Sequence, residues 1–170
     1  MVETESERFS HILSALSGLS ERELLSYWIR GEYEEAETYW KLAKRAKELE
    51  LPEDVIETFV VLAKESREHG DRLREIYVRS YGENPVEVGI PGVEAEALKL
   101  EMDTPKDVLE VLARAMETEL FAESLYEKLA TETGSDSLKS IYLYLAEIER
   151  GHYERLKCEF EVCKKIYGKS

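Results

Sequence analysis

Leu145-Ala146-Glu147-Ile148-Glu149-Arg150-Gly151-His152-Tyr153-Glu154-Arg155-Leu156 is the stretch on which the fold reading turns. Glu149 and His152 are three residues apart, so on an α-helix both project from one face. That face otherwise carries Ile141, Leu145, Ile148 and Leu156. A carboxylate and an imidazole on a core face are costly to bury unless they are paired or bound to a metal.

Working outward, the same pattern occurs earlier in the chain. Ala63-x3-Arg67-x-His69-x2-Arg72-Leu73 matches Ala146-x3-Arg150-x-His152-x2-Arg155-Leu156. Glu32-x6-Tyr39-x-Lys41-Leu42-Ala43 matches Glu119-x6-Tyr126-x-Lys128-Leu129-Ala130. A helix pair duplicated in this way predicts a pseudo-twofold bundle. Repeated Leu and Ala express only a core, whereas repeated Glu and His need another reason.

The punctuation agrees with long helices. Ser20 and Glu23 form a capping box, and a helical pattern follows to about Leu49. Pro52, read as a first helical position, opens a second helix that runs to about Tyr81. Thr104-Pro105 opens a third, to about Thr133, and Ser135-Asp136 a fourth, to about Tyr167. Each spans about 45 Å at the α-helical rise. Between the second and third lies a link from Gly82 to Asp103, containing Pro85, Pro91 and the extended-looking Val86-Glu87-Val88. The reading is an all-α, antiparallel four-helix bundle with one long crossover between its second and third helices. Residues 20–170 form the bundle; residues 1–19 are an arm with a short helix around Arg8 to Leu16.

The chain has 170 residues with 43% hydrophobic content, enough for a core. Thirty-seven acidic against 23 basic residues leave a formal charge of −14, which argues against nucleic acid and anionic membranes as partners and suits cations. No apolar run is long enough to span a bilayer. The polar start Met1-Val2-Glu3-Thr4-Glu5-Ser6-Glu7 does not read as a signal peptide. Cys158 and Cys163 lie about 140° apart on a helix, so they read as reduced thiols and the expected compartment is the cytoplasm.

Four antiparallel helices point Glu32, His69, Glu119, Glu149 and His152 at a common centre. Carboxylates with imidazoles suit iron or manganese, with zinc a further divalent choice. Tyr39 and Tyr126, two turns from Glu32 and Glu119, either fill the core or hydrogen-bond to a ligand carboxylate. His11 reads as an ordinary surface or packed histidine.

From about Leu24 to Lys165 these residues resemble the rubrerythrin-type members of the ferritin-like superfamily. The resemblance implies a di-iron bundle, commonly a homodimer, that reduces hydrogen peroxide or oxidises ferrous iron with dioxygen or peroxide. Three positions depart from the family pattern. Ser66 stands where the second helix should carry the Glu of Glu-x-x-His. Ala122 stands where a further third-helix Glu is expected. No pair of Cys-x-x-Cys motifs supplies a rubredoxin-like domain, so a peroxidase would need an external electron donor. Glu35, three residues after Glu32, corresponds in the repeat to Ala122 and is the candidate replacement carboxylate. Glu65, turned about 100° from Ser66, ranks behind Glu35. Three functions are therefore open: a non-haem iron oxidase or peroxidase, a metal-binding protein without turnover, and a helical scaffold with an eroded site.

Overall fold

The computed structural model describes residues 4–90, 92 and 101–169. Five α-helices follow in order: α1 (Glu5–Ser17), α2 (Glu21–Glu48), α3 (Glu53–Tyr81), α4 (Val108–Glu132) and α5 (Asp136–Tyr167). There is no strand among the described residues. Helix α2 packs along α3, α4 along α5, and α3 also meets α5.

The boundaries have local causes. Ser20 accepts from the Glu23 amide while the Glu23 side chain reaches back to the Ser20 amide, a box worth about 1 kcal/mol. Thr4 and Glu7 repeat the device at α1. Pro52 corrects the sequence reading by one position: its ψ of 139° is extended, so it caps α3 and Glu53 is the first helical residue. Helix α3 stops at Gly82, whose left-handed φ of 72° frees the chain to turn. Thr104 and Pro105 open a 3-10 turn, Pro105–Asp107, that leads into α4. Ser135 caps α5 by accepting from the Leu138 amide.

The described parts of the long link lie beside α2. At the α3 exit, Arg22 donates to the Tyr77 hydroxyl at 2.7 Å. Next, the Val86 amide donates to Ser26 Oγ at 3.0 Å, and the Arg30 guanidinium takes the carbonyls of Val88 and Ile90. At the far end Arg45 donates to the Met102 carbonyl at 2.7 Å. Positions 22 to 30 and position 45 of α2 therefore hold the two described parts of the link at opposite ends of the bundle, and α4 starts at the end where α3 starts. That is the crossover topology. Val86-Glu87-Val88 serves as strapped chain; residues 91 and 93–100 of the expected link lie outside the described residues.

The apolar core comes in two parts. One holds Leu25, Trp28, Ile29, Leu73, Tyr77, Leu125, Tyr126, Leu138 and Tyr142, with Leu16 of α1 packed beneath. The other holds Leu42, Ala46, Val55, Phe59, Leu62, Leu112, Leu156 and Cys163. Each large side chain so buried contributes about 1.5–3 kcal/mol. The interval on every bundle helix is polar and buried: Glu32 and Glu35 on α2, Ser66 on α3, Glu119 on α4, Glu149 and His152 on α5.

Candidate metal centre

All four bundle helices contribute to this polar layer. One ligand atom from each of Glu35, Glu119, Glu149 and His152 lies within 4.8 Å of the others, and all four residues are buried. His152 Nδ1 is the inward nitrogen, at 3.7 Å from Glu35, 3.8 Å from Glu119 and 3.9 Å from Glu149. Its outward Nε2 lies 3.2 Å from Glu65 Oε2. His69 Nδ1 lies 3.7 Å from Glu32 Oε2, and the two imidazole rings are 6.0 Å apart, centre to centre.

The two tyrosines are placed differently. Tyr39 donates its hydroxyl to Glu119 Oε1 at 2.6 Å. Burial first, then the charges of Glu119 and Glu35, push its pKa well above the usual tyrosine value, so it stays a donor. Tyr126 sits edge-on to Trp28 at 4.8 Å and stacks on Tyr142 at 6.4 Å. Ser66 is fully buried and its Oγ has no hydrogen-bond partner.

The electrostatics are set by crowding. Burial works to lower the pKa of His152, but Glu119, Glu35 and Glu65 around it raise it well above the usual histidine value. Burial works to raise Glu119, yet contacts with Glu149 and His152 hold it at about 2. His69 goes the other way: burial, then repulsion from His152, bring it down to about 4. Without a metal, the imidazolium of His152 is thus the positive charge among these carboxylates. Packing so much negative charge in a buried layer is costly unless a cation answers it. The orphaned Ser66 hydroxyl and the converging carboxylates fit a divalent cation.

Two contacts were not legible in the helical repeat. Glu65 reaches the outer edge of His152 from α3, and its other oxygen lies 3.5 Å from Arg155. Glu123, nearly buried, pairs with Arg150 at 3.1 Å. The signal for both was the pair of arginines recurring beside each histidine, whose partners depend on helix docking rather than on spacing. Cys158 is exposed and Cys163 buried, and both are free thiols.

Four helices, one long crossover and a buried carboxylate–histidine layer define a ferritin-like bundle with a candidate metal site. The rubrerythrin family profile matches residues 23–159, and the chain belongs to the rubrerythrin family. Among solved structures, a hypothetical protein from Pyrococcus furiosus is similar, with TM-score 0.71 and 28% identity, covering 88% of this chain and 94% of that one. No curated protein matches. No helix among the described residues is long and apolar enough to cross a membrane.

Proposed function

We propose that this chain is a non-haem iron protein that oxidises ferrous iron or reduces peroxide at its bundle-core site. The observation that carries the reading is the set Glu35, Glu119, Glu149 and His152, four buried ligand groups within 4.8 Å of one another. These four would hold the tighter metal, and Glu32 with His69 would offer a weaker second position. Iron bound there supplies one-electron chemistry toward dioxygen or peroxide.

The chain's own residues do the rest. The carboxylates would neutralise a bound cation, and His152 would meet it through Nδ1 as a neutral imidazole. Tyr39 fixes one Glu119 oxygen and leaves the other facing the cluster. The two apolar core regions exclude water above and below the polar layer. Electrons for peroxide reduction would come from a donor outside the bundle, whose residues carry no Cys-x-x-Cys motif. The setting is a reducing compartment, the cytoplasm, and the working unit a homodimer.

Ser66 favours a second reading, metal binding without turnover. Repulsion between two cations held close must be offset by bridging negative charge, and Ser66 supplies none. Metal analysis of protein produced in iron medium, followed by stopped-flow oxidation of added Fe(II), separates the readings. Bound iron with rapid oxidation supports the enzyme. Bound iron without oxidation supports the binding protein, and protein without metal affinity refutes both.

A further inference from the structure

The duplicated arginines do different work in the two halves. In the repeat, Arg72 stands to His69 as Arg155 stands to His152. Arg72 donates to the Tyr144 hydroxyl at 2.9 Å, and the Tyr144 ring stands edge-on to His69, 6.0 Å between centres. Arg155 instead approaches Glu65 Oε1 at 3.5 Å, and Glu65 Oε2 lies 3.2 Å from His152 Nε2. One histidine is thus backed by an aromatic ring and the other by a carboxylate. The repeat position of Glu65 in the second half is Ile148, so no carboxylate can back His69 in the same way.

An imidazole that ligates a metal through one nitrogen is oriented by what its other N–H donates to. Nδ1 of His152 faces Glu35, Glu119 and Glu149, while Nε2 faces Glu65. We propose that Glu65, held by Arg155, is a positioning residue for His152: it accepts a hydrogen bond from Nε2–H and so presents the Nδ1 lone pair to the metal. This rests on the reading of His152 as a ligand. It gives Glu65 a place outside the ligand set. Its half-exposed side chain also makes this carboxylate the contact between the buried layer and the α3–α5 surface.

Zinc is the diamagnetic probe. Histidine ring nitrogen–proton correlation spectra of 15N-labelled, Zn(II)-loaded protein should show His152 with metal-bound Nδ1 and protonated Nε2. Calorimetric titration of Glu65→Ala should show Zn(II) bound about 10- to 100-fold more weakly at unchanged stoichiometry, the range for loss of an outer partner. Glu65→Gln, whose amide oxygen still accepts a hydrogen bond from Nε2–H, should recover most of that loss. Metal bound through Nε2, or Glu65→Ala binding as tightly as the parent while His152→Ala does not bind, overturns the role of Glu65 alone. Equal Zn(II) binding by the parent and His152→Ala overturns the metal-site reading itself, and the role of Glu65 with it.

Discussion

His152 on α5 and His69 on α3 occupy matching places in a duplicated scaffold, yet their surroundings are opposite. His152 has carboxylates of Glu35, Glu65, Glu119 and Glu149 within 4 Å, and they raise its pKa well above the usual histidine value. His69 meets Glu32 at 3.7 Å, is backed by Tyr144, and has its pKa brought down to about 4. The backbone repeat gives equal positions, and a few side chains make them unequal. Ser66 stands where the repeat has Glu149, and Glu35 stands where it has Ala122. Together these exchanges move negative charge toward His152. Duplication therefore fixes where a site can form, and a few substitutions fix which half carries the denser negative charge.

The largest test of that inequality is ligand removal. His152→Ala should weaken the first equivalent of Fe(II) by at least about 100-fold, beyond the range for an outer partner. His69→Ala should change it less than about threefold. Anaerobic titration calorimetry measures both, and equal losses would break the comparison.

Chelation comes next. Protein loaded at 100 times its Kd is stabilised by about 2.7 kcal/mol. Removing the metal should therefore lower Tm by roughly 5–10 °C for a chain of this size. Scanning calorimetry before and after a chelator checks it, and an unchanged Tm would mean that the buried layer holds no metal. Tyr39→Phe follows, because it strips the hydroxyl from a charged, buried acceptor. Metal-free protein should lose about 1.5–3 kcal/mol in denaturant unfolding. Ser66→Glu is the smallest effect and the sharpest. It restores the missing carboxylate and should bring bound iron from about one toward two per chain, with the second equivalent tightened about tenfold, or ~1.4 kcal/mol. Two equally tight irons in the parent protein would show that Ser66 does not set the inequality.

Much of the fold was legible in the sequence because its signals are local. Ser20-Glu23, Thr104-Pro105 and Ser135-Asp136 are caps that act within one turn. The 22-residue link could be read as a crossover only from its length, since the Arg30 and Arg45 straps that hold it join residues about 60 apart. For the site, repeat register was enough to direct attention to Glu32, Glu119, Glu149, His69 and His152. Glu35 was harder to separate from the run Glu32-Tyr33-Glu34-Glu35, where helical phase alone distinguishes a buried from an exposed acid. Glu65 could be read only as a second choice, behind Glu35, for the carboxylate missing at Ser66; its contact with His152 depends on where α5 sits against α3, which no spacing within α3 encodes. Gly70 has a similar cause, for a Cβ there would stand 2.9 Å from the Tyr33 ring, a contact made only once α2 and α3 are packed.

The division of the metal-facing residues between the two hairpins also sets an order of assembly. Helices α2 and α3, and α4 and α5, are each joined by a tight turn, so either pair forms through contacts close in sequence, the kind that form fast. Bringing the pairs together closes a much longer loop and sets Glu35 beside Glu119 and Glu149, like charge against like charge. Docking of the hairpins is then the slower step in the metal-free chain, and the like charges subtract from what burial of the shared apolar core gains. A cation that binds only the docked form acts as a latch, capturing a shape that the polypeptide reaches by itself but holds less firmly alone.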